Sequence, residues 1–236
     1  PDEGVRPVPM SQTLPQETQA TLTPECMLAD DDVLHYRQTH EYVGMYTDTV
    51  LAKDQQARME FYKRLHKCGI LGFSKIAKSK IAPFFVKKKN GKQRLVVDCR
   101  RTNQFFRKPH RPELGPAEAI QRLDNSTGET LYEAEADLKN CFYQMGIEAW
   151  LSLFFCFEDL VTGAWAKSLG CECDVSGEPI SDKDRLYPCL IVLPMGFSWS
   201  FWIVQELVTQ PSLKAGITRD QILVSGWPAP SLNKGV

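Results

Sequence analysis

The residues able to do chemistry fall into one strongly basic segment and one isolated acid. From Lys75 to Arg111 the sequence carries thirteen Lys or Arg and a single acid, Asp98. The remainder holds 15 basic and 28 acidic residues, so a net charge of −1 conceals a segment of +12 beside a balance of −13. Charge sorted this sharply suits a polyanion partner. The cations alternate with β-forming apolar residues, which predicts a folded surface rather than a solvated lysine loop. Nucleic acid or nucleotide phosphate is the expected ligand. Asp137 ends an apolar run and precedes a helical turn. A carboxylate there can hold a divalent cation together with carbonyl oxygens, and it can equally cap a helix. Cys99, Cys141, Cys156 and Cys189 lie in apolar stretches and behave as small buried hydrophobes. Only Cys171 and Cys173 are close, and their one-residue spacing is not a zinc-ligand pattern. A reducing compartment is expected.

These residues need elements to hold them. The 236 residues, 43% of them hydrophobic, can bury a substantial core. No apolar run approaches the roughly 18 residues needed to span a bilayer. Residues 1–48, rich in Pro, Thr, Gln and acids, predict a mostly disordered lead-in with one short helix near 26–40. Asp48 or Thr49 can cap a helix running to about Lys67, with Gly69 as its stop. Residues 82–89 and 92–98 read as strands joined by Asn90-Gly91, a pair suited to the positive φ of a type I′ turn. Further on, the pattern predicts a helix at 117–123, a strand at 130–136, a helical turn at 139–145 and a buried strand at 151–157. Residues 159–186 read as a long polar hairpin, 187–193 as a strand, and 198–210 as a helix stopped by Pro211.

Three segments resemble the reverse transcriptase family, in the family's order. The run from Ile81 to Asn103, with its lysines, turn and R-L-V-x-D-x-R-x-x-N hallmark, resembles the fingers hairpin. Ala136-Asp137-Leu138-Lys139-Asn140-Cys141-Phe142 resembles the first palm motif, an aspartate with an aromatic five residues later. Leu193-Pro194-Met195-Gly196-Phe197-Ser198 resembles the L-P-x-G motif that follows. The likeness covers residues 60–210.

The resemblance implies roles for these residues. Arg94 would grip the triphosphate of an incoming nucleotide, helped by one or two of Lys87, Lys88 and Lys89. Asp98 and Arg100 would pair to brace the hairpin. Asp137 would bind magnesium ions for nucleotidyl transfer. Phe142 would stand against the sugar and exclude a 2′-hydroxyl, and Gly196 would let backbone approach the nucleotide or template. Met195 stands where several relatives have glutamine. RNA or DNA template-primer and deoxynucleotide triphosphates are the implied partners. The implied fold is α+β: a disordered lead-in (1–48), a fingers-like lobe (49–125) and a partial palm (126–236) on a split βαβ sheet covered by helices on one face.

The third palm motif, an aromatic followed by paired aspartates, does not occur downstream of Gly196. One carboxylate cannot hold two metals, so no polymerase activity is expected of these residues alone. A start at Pro1 and a loop-like end suggest a piece of a longer, retroelement polyprotein in an intracellular setting, cytoplasmic or nuclear. The alternative is a relic or domesticated domain that binds nucleic acid or a partner protein without polymerising.

Overall fold

Capping and turn residues set most of the element boundaries. This computed structural model describes residues 6–89, 91–115, 117–123 and 137–229, and the chain is α+β, with short helices around small sheets. The N-terminal stretch departs most from expectation. It forms β1 (Val8–Pro9), α1 (Met10–Thr13), α2 (Gln16–Thr21), α3 (Pro24–Met27) and α4 (Asp31–His40). Met10, Leu14 and Met27 are buried. Backbone bonds tie the stretch down: Ala29 N–H donates to the Phe105 carbonyl (2.9 Å) and Arg107 N–H to that of Met27 (2.8 Å). The Arg37 guanidinium reaches the carbonyls of Gln104 and Phe106, each at 2.9 Å. Main-chain partners supply the order that a polar composition does not advertise.

The expected helix at 49–67 is two, α5 (Thr49–Lys53) and α6 (Gln55–Lys67). Asp48 Oδ1 accepts from the N–H groups of Val50 and Leu51 at 2.9 and 3.2 Å. Asp54 leaves helical geometry and caps α6 through Ala57 N–H at 3.0 Å. A second capping residue thus ends one helix and starts the next. There follow β2 (Leu71–Ser74), β3 (Ala82–Lys87), β4 (Gln93–Asp98) and α7 (Arg100–Asn103).

Strands β3 and β4 form the expected hairpin, with a shifted register. Lys88 N–H donates to the Lys92 carbonyl (2.7 Å), and Gly91 N–H to the Lys88 carbonyl (3.0 Å). The closing pair is therefore Lys88 with Lys92, one residue away from the pair a two-residue turn requires. Gly91, at φ 77°, takes the left-handed position that closes this longer loop. Asn90 lies outside the described residues. The shift sets Val86 opposite Arg94 and Phe84 opposite Val96.

Next come α8 (Ala117–Ile120), α9 (Cys141–Gln144), β5 (Met145–Gly146), α10 (Ala149–Ser152), β6 (Val161–Thr162), α11 (Gly163–Ser168), β7 (Arg185–Leu190) and α12 (Ser200–Lys214). Residues 151–157 are not the strand expected. They close α10 and then run as irregular buried chain, with Phe157 N–H on the Pro188 carbonyl (2.8 Å) and Ile81 N–H on the Cys156 carbonyl (2.8 Å). A short apolar run does not by itself separate strand from buried helix end. The polar insertion pairs as a hairpin at its base, β6 with β7, and again where Cys173 bridges Pro179, with α11 in between. Pro211 lies inside α12 rather than after it.

The three-stranded sheet runs β2-β7-β6 and is antiparallel throughout, so it joins residues from both halves of the sequence. The split βαβ sheet expected of 126–236 includes a strand at 130–136, which lies outside the described residues. The chain divides into two compact units, Pro1–Lys108 with Asn140–Ser200 and Pro109–Lys139 with Phe201–Val236. In the first unit Phe106 and Phe155 both set their rings edge-on to Phe197, with centroids 4.8 and 5.0 Å away. Such pairs add specificity to the area they bury. In the second, Arg219 pairs with Glu113 and Glu206, and the Ser225 N–H donates to the Leu114 carbonyl (2.8 Å). Among the described residues no helix is long and apolar enough to cross a membrane.

Candidate nucleic-acid interface

Side chains alternate along the hairpin, so its two faces have different neighbours. One face carries Phe85, whose ring meets Phe61 of α6 at 6.0 Å and docks the hairpin on the first unit's core. The opposite face carries Phe84, Val86, Arg94 and Val96, and there Phe84 meets the Tyr46 ring at 5.4 Å. At the tip, Val86, Lys87, Lys88, Lys89 and Arg94 line an open hollow of about 450 Å³. All five are exposed. Among the described residues, the ion pairs of the basic segment use Lys75, Arg100 and Arg107. Lys87, Lys88, Lys89 and Arg94 therefore face solvent as an uncompensated cationic cluster.

The base of the hairpin is rigidly held. Asp98 is 5% exposed. It accepts from the Arg100 guanidinium at 2.7 and 3.0 Å, from Tyr46 N–H at 2.9 Å and from Arg100 N–H at 3.1 Å. Burial alone would raise its carboxyl, but the Arg100 side chain and the two N–H groups outweigh burial and hold it below its ordinary value. The bracing pair expected of Asp98 and Arg100 is present.

The segments quoted from the hairpin and from L-P-x-G meet in this unit. The Asn103 amide donates to the Gly196 carbonyl (3.0 Å) and its oxygen accepts from Ser198 N–H (2.9 Å). Gly196 sits at φ 122°, and a Cβ there would fall 2.5 Å from the Val97 carbonyl oxygen. The close approach that requires glycine is to strand β4. Met195 is half-buried beside it.

On α9, the buried Tyr143 donates its hydroxyl to the Leu95 carbonyl at 2.9 Å. Burial, then the nearby Cys99 thiol, push that hydroxyl up to about 12, while Arg94 pulls it the other way. Phe142, one residue earlier, is half-buried.

No known family model matches the sequence, and no curated protein does.

Asp137 is exposed and belongs to the second unit, whereas Lys87, Lys88, Arg94, Phe142, Met195 and Gly196 belong to the first. Among the described residues no three His, Cys, Asp or Glu side chains gather to hold a metal ion. Cys171 lies not with Cys173 but against His66, its sulfur 3.2 Å from Nε2.

Three residues that matter here were not assigned these contacts from sequence. Asn103 was already inside a quoted motif, and Tyr143 adjoined the expected aromatic. For Tyr46 nothing marked the residue beyond its place two positions before a cap.

Proposed function

We propose that this chain is the fingers and first palm portion of a reverse-transcriptase-like protein of retroelement type, whose basic hairpin binds nucleic-acid or nucleotide phosphate in an intracellular setting. The observation that carries the reading is the exposed cluster of Lys87, Lys88, Lys89 and Arg94, on a hairpin braced at its base by Asp98 and Arg100. Planar guanidinium and flexible ammonium groups together suit phosphate oxygens. The approach of the L-P-x-G turn to β4 at Val97 and its hydrogen bonds with Asn103 of α7 support reading the separate motifs as parts of one device. In that reading Phe142 and Met195 border the nucleotide.

A non-polymerising, nucleic-acid-binding role is favoured over catalysis for these residues alone, because no aromatic followed by paired aspartates occurs downstream of Gly196. The test joins two measurements on the intact chain with a fluorescent primed RNA template. Anisotropy should give binding that weakens about tenfold or more when Lys87, Lys88 and Lys89 are replaced together by alanine. Primer extension with magnesium and deoxynucleotides should give no product. Equal affinity of the triple variant would overturn the phosphate-binding reading. Extension abolished by Asp137→Ala would overturn the non-polymerising one.

A further inference from the structure

The hairpin face that bears Arg94 has an aromatic neighbour contributed from outside the hairpin. Residues Glu41–Thr47 run as an extended strap across its base. The Gln104 amide donates to the Glu41 carbonyl (2.9 Å), the Arg100 guanidinium to the Gly44 carbonyl (3.1 Å), and Tyr46 N–H to Asp98 (2.9 Å). Asp48 N–H then closes on the Pro83 carbonyl at 2.9 Å. These four bonds fix the strap's backbone while leaving its rings in solvent. Tyr46 is 56% exposed and Tyr42 95% exposed. The Tyr42 ring lies alongside Gly44, within 3.6 Å of where a Cβ there would stand.

Exposing a large ring forgoes the burial that usually keeps aromatics inside. Here the backbone is pinned so that Tyr46 cannot withdraw freely. Its ring meets Phe84 edge-on, and beyond Phe84 on the same face come Val86 (46% exposed) and Arg94, followed by the tip lysines. Asp98, which accepts from Tyr46 N–H, is buried and paired with Arg100. One surface therefore offers a π-face at one end and, at the other, exposed cations that make no ion pair among the described residues.

We infer that this surface is a binding site for single-stranded nucleic acid, with unpaired bases stacking on Tyr46 and Tyr42 of the strap and the backbone phosphates running onto Lys87, Lys88, Lys89 and Arg94. A duplex offers the cations the same phosphates but hides its base faces in its own stack, so it gains nothing from the tyrosines. Free phosphate or a nucleotide would engage only the tip. The site thus discriminates by base exposure, not by sequence, since every base has a π-face. The inference rests on the phosphate-binding reading of the hairpin and adds the base-stacking half of the site.

The test uses the intact chain and three fluorescent ligands of equal length: an oligodeoxythymidylate, the same backbone with abasic sites, and a duplex. The thymidylate strand should bind about 5- to 100-fold more tightly than its abasic counterpart, from one to two stacked bases. Tyr46→Ala combined with Tyr42→Ala should bring the two within about twofold. Tyr46→Phe, which keeps the ring, should retain the difference. Binding of the duplex should be the same for all these proteins, and circular dichroism melting of each variant checks its fold.

Equal affinity of the native protein for the thymidylate and abasic strands overturns the stacking site, and so does an unchanged preference in the double tyrosine variant. If the Lys87, Lys88 and Lys89 triple variant still weakens all three ligands, the phosphate-binding reading survives that failure. If the triple variant leaves every ligand unaffected, the hairpin reading itself falls.

Discussion

At the scale of single residues, Asp98 is the position where charge and structure are most tightly linked. It takes four hydrogen bonds while almost wholly buried, and those bonds hold its carboxyl below the ordinary value. In the unfolded chain it should titrate near 3.9. Its contribution to stability is therefore fully present above that pH and is lost as pH falls through the lower folded value. Asp98→Asn should cost about 1–3 kcal/mol at pH 7, because charge-assisted bonds become weaker neutral ones. In urea melts the gap between the two proteins should narrow as the pH is lowered below 4. A gap that stays constant from pH 7 down to pH 3 would mean that the carboxylate charge does not matter to the fold. The pairing of Asp98 with Arg100 was legible in the sequence, since two residues of spacing let an arginine fold back on an aspartate. The Tyr46 bond was not, because a contact spanning 52 residues has no local signal.

At the scale of elements, sequence patterns located the basic hairpin, the capped helix start at Asp48, the turn of α9 and the L-P-x-G turn. They misjudged what depends on partners far along the chain. The hairpin's strands were recognisable from alternation, but their register was set by a longer loop than Asn90-Gly91 suggests, and that decides which residues share a face with Arg94. The N-terminal stretch was misread for the same reason: its order comes from carbonyls and N–H groups at residues 104–107. Gly196 was expected to make room for a ligand, whereas the room is taken by the Val97 carbonyl. Gly196→Ala tests this directly. A Cβ there must displace a strand backbone and also hold a φ of 122°, each costing about 1–3 kcal/mol. The variant should unfold at lower urea, by about 2–6 kcal/mol together. Near-wild-type stability with weakened nucleic-acid binding would instead return Gly196 to a ligand-facing role.

At the scale of the whole molecule, the sorting of charge matters more than its sum. A formal charge of −1 and a pI near 6.5 would assign this chain to no polyanion. The field near the hairpin differs from that average because Lys75, Arg100 and Arg107 are paired with acids, whereas the tip cations are not among the described ion pairs. Screening over about 8–10 Å at physiological salt further isolates the tip from acidic surface beyond that distance. Binding should then count only the tip. Three or four neutralised phosphates give a plot of log affinity against log salt with a slope of about −2 to −4. Engagement of the whole basic segment, thirteen cations, would give a slope near −9 or steeper. Replacing Lys87, Lys88 and Lys89 by alanine should flatten the slope by about 2 and weaken unrelated sequences alike. Titrations between 50 and 200 mM potassium chloride measure this quantity. A flat plot would leave the hairpin without an electrostatic partner. A steep one that the triple variant does not change would move the contact to cations elsewhere in the segment.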